Sequence, residues 1–288
     1  AFWSLEQVLT KVDLQSIRMA TTLRKYVASQ FKPSIAKVFY DYFKSETVLD
    51  FSAGWGGRMV GALCLNKNYI GIDPNVSLRK SYIGILETLK DYNSSNVKIK
   101  FNYGENVDFS KLKYDFVLTS PPYLEEKGGL IEIYENIKEY DDDSFYHTFI
   151  FPTVYRILHY LPMNKYFCLN TNVSNMNVIK EYLLGQETMK IPYKTKERAG
   201  GPKRREKHQT IRYSEYIYCY KKTHKLMKLI ENKNKSKKLY LTKKPITNKD
   251  LDKEVNESGT NKWFLENNLA VSTAIRKLTV SKCKKDEE

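Results

Sequence analysis

Residues 48–57 have the sequence Val48-Leu49-Asp50-Phe51-Ser52-Ala53-Gly54-Trp55-Gly56-Gly57, a short apolar run followed by a glycine-rich turn. The apolar run predicts a buried strand, and helical periodicity begins at Arg58. A glycine turn between a strand and a helix permits positive φ or close backbone approach, and it leaves free amides at the helix N-terminus. This stretch therefore predicts a strand–turn–helix unit that can bind a ligand at its turn.

Predicted strands and helices alternate on both sides of this unit. Such alternation is typical of a parallel sheet covered by helices on both faces. The sequence therefore predicts an α/β, Rossmann-like fold that is mostly parallel, with an antiparallel last strand and a loop at residues 186–210. The predicted strands span residues 47–51, 69–72, 97–101, 116–118, 166–170 and 211–220, and the predicted helices span residues 5–29, 35–43, 58–66, 76–92, 144–160 and 173–184.

Two further motifs each follow a predicted strand. Asp73 lies about twenty residues after the glycine turn, where a carboxylate can accept hydrogen bonds from both hydroxyls of a ribose. The tetrapeptide Ser120-Pro121-Pro122-Tyr123 follows the apolar run at residues 114–119. A Gly-x-Gly-x-x-Gly fingerprint is not formed, because Val60 stands near the place of its third glycine. The turn is therefore not that of a dinucleotide-binding protein.

In this order, the glycine turn and Ser120-Pro121-Pro122-Tyr123 resemble the S-adenosylmethionine-dependent DNA amino-methyltransferases, which modify cytosine N4 or adenine N6. The resemblance covers residues 31–222 and implies a Rossmann-like methyltransferase sheet that uses S-adenosylmethionine and releases S-adenosylhomocysteine. It implies that Asp50 lies near the ammonium of the methionine part, that Asp73 holds the ribose and that Glu105 faces the adenine amine. The implied cofactor-binding residues are Asp50, Phe51, Ser52, Ala53, Gly54, Gly56, Asp73, Pro74, Glu105, Lys32 and Pro33.

Ser120, Pro121, Pro122 and Tyr123 are the predicted catalytic residues. The exocyclic nitrogen of a base is conjugated with its ring, so its lone pair is poorly available for attack. An acceptor at Ser120 and the carbonyl of Pro121 can hold the two amine hydrogens and orient the nitrogen for in-line displacement. Tyr123 offers a flat face for the base, which must leave the helix stack. By resemblance, serine at the first position is typical of cytosine-N4 enzymes and favours cytosine over adenine.

Positive charge is concentrated in two segments of the chain, whose formal net charge is +15. Residues 194–212 contain eight basic residues against two glutamates, and residues 221–249 contain eleven lysines against Glu231 alone. Blocks of one sign favour solvent or a polyanion. The loop beside the predicted site is expected to contact phosphates and, through arginine, guanine edges. The predicted nucleic-acid-binding residues are Arg198, Lys203, Arg204, Arg205 and Lys207.

The cysteines argue against two other chemistries. They form no Cys-x-x-Cys pair and no zinc spacing, so reduced thiols and no metal are expected. A cytosine-C5 methyltransferase would need a nucleophilic cysteine, usually after proline, and the sequence has no Pro-Cys dipeptide. The apolar stretches are too short to span a bilayer and residues 1–10 lack a secretory pattern, so an intracellular protein is expected. The four cysteines are Cys64, Cys168, Cys219 and Cys283.

The sequence divides into three expected segments. These are an N-terminal helical segment (residues 1–30), the methyltransferase catalytic domain (31–222), and a basic linker with a C-terminal helical tail (223–288). DNA is the predicted partner, and RNA stays open because nothing in the catalytic loop distinguishes deoxyribose from ribose. The alternative of another class is a non-catalytic nucleic-acid-binding subunit with the same fold. The oligomeric state and the presence of a restriction or recognition partner are also left open.

Overall fold

The computed structural model describes residues 31–124, 144–195, 213–239 and 241–243. Seven strands within these residues form one sheet in the order β3-β2-β1-β4-β5-β7-β6. The strands are β1 (Thr47–Asp50), β2 (Asn68–Ile72), β3 (Val97–Lys100), β4 (Phe116–Thr119), β5 (Tyr166–Asn172), β6 (Met189–Thr195) and β7 (Tyr213–Lys221).

Strand β7 runs antiparallel to both of its neighbours, β5 and β6. The pairs β1–β2, β1–β4, β2–β3 and β4–β5 are all parallel. Every residue of β4 is buried, as expected for a parallel strand covered on both faces. The predicted Rossmann-like sheet, mostly parallel with an antiparallel last strand, is therefore confirmed.

Six α-helices accompany the sheet in the described part of the chain. A Cβ atom at Gly61 would lie 2.7 Å from the Pro33 carbonyl oxygen, so the close approach of the first two helices requires glycine there. A π-helical turn at Phe145–Ile150 precedes the fourth helix, and another at Lys180–Leu184 follows the fifth. The helices are α1 (Pro33–Tyr42), α2 (Gly57–Leu63), α3 (Arg79–Leu89), α4 (Phe151–Tyr160), α5 (Val173–Ile179) and α6 (His224–Ser236).

The main apolar cluster joins the central strands to α4. Leu49 of β1, Val117 of β4, and Ile157 and Leu158 of α4 are all fully buried in it. Burying one such side chain is worth about 1.5–3 kcal/mol relative to leaving it in water. This packing holds β1 and β4 against α4.

Strand β6 shows that the prediction of a loop over residues 186–210 is wrong for its first part. Met189, Ile191 and Tyr193 alternate with lysines and Pro192, which is the period of a strand. Proline lacks an amide donor and is tolerated on an edge strand, and β6 is an edge strand of this sheet. The proline and the lysines concealed the alternation.

Helix α6 corrects the prediction that a linker begins at residue 223. The Thr223 side chain accepts a hydrogen bond from the Leu226 amide at 3.1 Å, which caps the helix. Leu226 and Ile230 are buried, and Lys233 donates to the carbonyl oxygen of Glu181 at 2.8 Å. Residues 224–236 therefore belong to the packed domain, because one helix face packs inward while Lys225, Lys228 and Lys235 are exposed on the other.

Several predictions fall outside the described residues. They are the helix at residues 5–29, the helical part of the C-terminal tail and the setting of Cys283. Cys64 is exposed, whereas Cys168 and Cys219 are buried, and all three are free thiols. In the described part of the chain, no helix has the length and apolar character needed to cross a membrane.

Candidate active site

The predicted functional motifs meet at one edge of the sheet. β1 and β2 run in parallel, so the glycine turn after Asp50 and the Asp73 carboxylate lie at the same ends of their strands. β4 is parallel to β1 on its other side, which brings Ser120 to this edge as well. The strand order reverses between β1 and β4. Such a reversal opens a crevice at the carboxyl ends, where α/β proteins bind their ligands.

The glycine turn depends on two residues with positive φ. Gly54 has φ of 54° and Gly56 has φ of 81°, a region that residues with a Cβ atom rarely adopt. The Ala53 amide donates to the Ile72 carbonyl oxygen at 3.0 Å, so the turn is tied to β2. Tyr82 of α3 donates to the Gly54 carbonyl oxygen. The turn is thus held from two neighbouring elements.

Asp73 joins the end of β2 to the glycine turn. Its carboxylate accepts hydrogen bonds from the Gly54 amide at 2.8 Å and from the Asn75 amide at 2.9 Å. The side chain is 8% exposed. Burial raises the pKa of Asp73, and the two amide donors oppose that rise. The predicted ribose-binding carboxylate and the predicted cradle are therefore parts of one hydrogen-bonded unit.

Asp50 is the acceptor at the centre of a buried polar network. Arg58 of α2 contacts it through Nε at 2.7 Å and Nη2 at 3.3 Å, and the Tyr69 hydroxyl donates to it at 2.6 Å. The Ser52 amide donates to it at 3.2 Å, and Arg58 also donates to the Ser52 carbonyl oxygen. Asp50 and Arg58 together stabilise the start of the glycine turn.

Arg58 is a residue that the sequence interpretation missed. Its guanidinium is 5% exposed and its partner carboxylate is fully buried. Burial is the largest single effect and lowers the pKa of Arg58. The attraction of Asp50, its hydrogen bond and the nearby Tyr69 and Tyr40 together outweigh burial, so the pKa lies above the usual arginine value. The signal in the sequence is an arginine in the helix that follows an acid at the end of a strand, because a buried charge needs a partner of opposite sign.

The Ser120–Tyr123 turn closes on itself and on β5. The Ser120 and Tyr123 hydroxyl oxygens are 3.2 Å apart. The Asn170 side-chain amide donates to Tyr123 at 2.5 Å and to Ser120 at 3.2 Å. Asn170 is 1% exposed, and its strand neighbours β4 in parallel. Asn170 therefore orients the two polar side chains of the predicted catalytic turn.

A carboxylate from β7 completes this polar cluster. The Tyr123 hydroxyl donates to Glu215 Oε2 at 3.3 Å, and the Asn170 amide nitrogen lies 3.4 Å from the same oxygen. Burial, and then the nearby Glu215, raise the pKa of Tyr123 well above that of an ordinary tyrosine. We refer to Ser120, Tyr123, Asn170 and Glu215 as the polar cluster. Asn170 and Glu215 are absent from the predicted site.

The remaining predicted residues occupy different settings. Phe51 and Ala53 are 1% and 2% exposed, so their side chains belong to the core. Glu105 is buried in a 3-10 turn after β3, and its carbonyl oxygen accepts a hydrogen bond from Arg156 at 2.6 Å. Pro74 is partly exposed beside Asp73. Arg156 is a buried cation of α4 that ties the region of Glu105 to the core.

Lys32 and Pro33 stand at the start of α1. Pro33 is the first residue of α1, which packs on α2 directly after the glycine turn. The Lys32 amide donates to the Tyr193 hydroxyl of β6 at 3.2 Å. This bond connects the segment before α1 with the strand beside Glu215. The side chains predicted to bind nucleic acid lie outside the described residues: Arg198, Lys203, Arg204, Arg205 and Lys207.

Among the described residues, no group of three His, Cys, Asp or Glu side chains is placed to hold a metal ion. The chemistry available to the site from these residues is hydrogen bonding, a buried ion pair and one carboxylate in the polar cluster.

Comparisons with known proteins give structural likeness alone. No protein-family model and none of the curated proteins matches the chain. An rRNA methylase from Streptococcus thermophilus shares 14% identity over 68% of this chain and 100% of its own, with a TM-score of 0.43. TrmN from Thermus thermophilus shares 12% identity over 72% of this chain and 52% of its own, with a TM-score of 0.44. Similarity at these levels assigns no substrate and no residue role to this chain.

Proposed function

We propose that this protein is an S-adenosylmethionine-dependent methyltransferase that modifies the exocyclic amine of a base in DNA. The observation that carries the proposal is the hydrogen-bonded turn of Ser120 and Tyr123, oriented by Asn170. It follows β4, directly across the strand-order reversal from the Gly54–Asp73 unit. A methyl donor at one motif and a base at the other would meet in the crevice between them.

The residues of the glycine turn fit S-adenosylmethionine. A Cβ atom built on Gly54 would have the Ser52 carbonyl oxygen, at 3.9 Å, as its one described neighbour within 4 Å, so this side of the turn has room for a ligand. Asp73 offers carboxylate oxygens for ribose hydroxyls, and residues 52–56 offer a backbone cradle for the methionine part. When bound, S-adenosylmethionine supplies an electrophilic methyl group on a sulfonium. Glu105 is assigned to the adenine end.

Asp50 has a supporting role in addition to its predicted place near the ammonium. Its carboxylate is shared by Arg58, Tyr69 and the Ser52 amide. These bonds hold the turn in the shape that receives the ligand, since the Arg58 guanidinium also contacts the Ser52 carbonyl. A preorganised turn lowers the cost of ordering the chain when the ligand binds.

The catalytic turn suits an amine as the acceptor of the methyl group. The Ser120 hydroxyl and the Pro121 carbonyl can each accept one amine hydrogen, which directs the nitrogen lone pair toward the donor. Pro121 and Pro122 have fixed φ and lack amide donors, so this carbonyl stays available. Tyr123 supplies an aromatic face for a base that has left its stack. Orientation of this kind can account for a large part of a rate enhancement.

The finer assignment within this class is cytosine N4. It rests on the serine at the first position of the Ser-Pro-Pro-Tyr motif, which is typical of cytosine-N4 enzymes in the family that the sequence resembles. Adenine N6 is the same chemistry on another base. The charge of +15 favours a polyanionic substrate, and the lysines on the outer face of α6 add to this support.

Mass spectrometry of nucleosides tests the proposal. Duplex DNA and an RNA of the same sequence are incubated in parallel with protein and S-adenosylmethionine labelled in its methyl group, and then digested. We expect labelled N4-methylcytosine from DNA. Labelled N6-methyladenine would overturn the choice of base, and label in RNA alone would overturn the choice of polymer. If neither polymer is labelled and calorimetry detects no S-adenosylmethionine binding, the class itself is wrong. Binding without transfer would favour the non-catalytic subunit.

A further inference from the structure

Glu215 of β7 places a carboxylate next to the Ser120–Tyr123 turn of the candidate active site. It lies near the start of β7, opposite Asn172 at the end of β5, because β7 runs antiparallel to β5. Its side chain is half-buried. Oε2 receives the Tyr123 hydroxyl at 3.3 Å and the Asn170 amide at 3.4 Å. Strand pairing therefore places this carboxylate beside the predicted catalytic turn, although Glu215 lies 92 residues after Tyr123 in the sequence.

The hydrogen bonds of the polar cluster form a continuous path. Ser120 Oγ lies 3.2 Å from the Tyr123 hydroxyl, and that hydroxyl donates to Glu215. A proton received at Ser120 could thus pass to Tyr123 while Tyr123 passes its own to Glu215. Asn170 donates to the oxygen atoms of all three residues, so one buried side chain holds the whole path in place.

Amine methylation releases one proton, which a base at the end of this path can take up. A nitrogen that gains a methyl group while keeping both hydrogens would carry a positive charge, so one proton has to leave. Of the four residues in the polar cluster, Glu215 alone has a side chain that is basic at neutral pH. Burial raises the pKa of Tyr123, so this phenol does not stay deprotonated. It gives up one proton and takes up another in the same transfer.

We propose that Glu215 is the terminal proton acceptor for methyl transfer, reached from the substrate amine through Ser120 and Tyr123; this rests on the proposed function. The amine nitrogen forms a bond to the methyl carbon while the carbon–sulfur bond breaks and its electron pair stays on sulfur. One amine proton moves to Ser120 Oγ, the Ser120 proton moves to the Tyr123 oxygen, and the Tyr123 proton moves to Glu215. The neutral methylamine leaves, and Glu215 later releases its proton to solvent.

Charged and titratable groups of the described residues act on Glu215 and on the phenols beside it. Tyr123 faces it from the catalytic turn, and Tyr193 of β6 interacts with it electrostatically. Arg58 of α2 acts on both of these phenols. Burial and, to a smaller extent, the Glu215 charge raise the pKa of Tyr193, and the hydrogen bond from the Lys32 amide opposes that rise. Both phenols therefore stay neutral.

Substitution of Glu215 tests the proposal in the full-length protein with S-adenosylmethionine and the DNA that the wild type methylates. Glu215→Gln keeps the size and hydrogen-bonding capacity of the side chain but is not a base. We expect its single-turnover methyl-transfer rate to fall about 100-fold or more, as for loss of a general base, with S-adenosylmethionine affinity by calorimetry unchanged. The control is Glu181→Gln, an exposed residue paired with Lys237, which should leave the rate unchanged.

The pH profile separates proton transfer from a structural role. The wild-type rate should fall as the solution is acidified, because a protonated Glu215 accepts nothing, and Glu215→Gln should lack this limb. Acetate should restore part of the rate of Glu215→Ala. If Glu215→Gln does not fold, Tyr123→Phe keeps the ring, breaks the path and should also lose the acidic limb. Transfer by folded Glu215→Gln near the wild-type rate with an unchanged profile would overturn the proposal. A wild type that methylates no base would instead overturn the proposed function.

Discussion

The Asn170 side-chain amide lies 2.5 Å from the Tyr123 hydroxyl, although the two residues are 47 positions apart in the sequence. The same amide reaches Ser120 at 3.2 Å. Parallel pairing of β4 with β5 brings these residues together, since Thr119 pairs with Leu169 immediately before them. The polar side chains of the Ser120–Tyr123 turn are thus tied to a central strand of the sheet.

Asn170→Ala should therefore impair catalysis more than folding. Loss of the donor leaves Ser120 and Tyr123 free to rotate away from the geometry that holds the amine, and we expect methyl transfer to fall about 100-fold, the scale of a 1 Å misplacement. The unfolding free energy should fall by about 1–3 kcal/mol, because buried hydrogen bonds are lost. Single-turnover rates and urea unfolding measure the two effects. Asn96→Ala, at the opposite edge of the sheet, is the matched control; equal rates for the two variants would contradict this role.

The Asp73 carboxylate predicts how stability depends on pH. Burial raises its pKa above 3.8 in the folded protein, so the folded state holds this proton more tightly than the unfolded chain. The contribution of Asp73 to the unfolding free energy is therefore largest at low pH and is lost as pH rises from 3.8 through the raised value. Urea unfolding in that window should show this slope in the wild type.

The same residue should matter for S-adenosylmethionine. Asp73→Asn should remove the pH dependence of the unfolding free energy that Asp73 causes. It should also lower the affinity for S-adenosylmethionine, because an amide accepts from the ribose hydroxyls through one oxygen only. We expect affinity about 10-fold weaker or more, equivalent to about 1.4 kcal/mol. Calorimetry measures it, with the exposed Asp91→Asn as control. Unchanged affinity would remove Asp73 from the cofactor site.

The buried Asp50–Arg58 pair makes a sharp stability prediction. Arg58→Met leaves the Asp50 carboxylate buried with its main partner gone, and we expect the unfolding free energy to fall by about 3–5 kcal/mol. Asp50→Asn combined with Arg58→Met should recover part of this loss, since no uncompensated charge remains. Urea unfolding of the wild type and of these two variants measures this. The exposed pair Lys44–Asp41 supplies the control, because Lys44→Ala should have little measurable effect. A double variant no more stable than Arg58→Met would refute the explanation.

Helix α6 changes how the basic segment should be tested. Deleting residues from 223 onward would expose the core around Ile230, which is fully buried. Replacing the exposed Lys225, Lys228 and Lys235 by glutamine removes charge and leaves the packing intact. If these lysines contact phosphates, their replacement should weaken binding to DNA of every sequence. The slope of log affinity against log salt concentration should also become shallower by about 1 per lysine. The control substitutes Lys37, Lys80 and Lys90; identical slopes would show that α6 is only solvated surface.

Local patterns in the sequence suffice for the central part of the fold. β1, β2 and β4 are short apolar runs whose alternation with helices fixes a parallel sheet, and each motif follows directly from its strand. β6 was not predicted, because Pro192 and the lysines of this edge strand hide its apolar alternation. α6 escaped because lysine content masked the spacing of Leu226 and Ile230, which is i, i+4.

The polar cluster could be predicted only in part. The Ser120–Tyr123 motif is contiguous, and its placement after β4 follows from the sequence. Asn170 and Glu215 reach it through strand pairing, from 50 and 92 residues beyond Ser120 and Tyr123 respectively. Neither stands in a local pattern that marks a functional residue. Their role depends on the register of β5 with β4 and β7, which no single stretch encodes.

The most direct test of the central claim combines product analysis with one substitution. Wild type and Ser120→Ala are each incubated with DNA and S-adenosylmethionine carrying a deuterated methyl group, the nucleosides are analysed by mass spectrometry, and cofactor binding is measured by calorimetry. We predict deuterated N4-methylcytosine from the wild type, and from Ser120→Ala a loss of about 100-fold or more in this product with cofactor affinity preserved. Equal product from both proteins, or no methylated base from the wild type, would contradict the account.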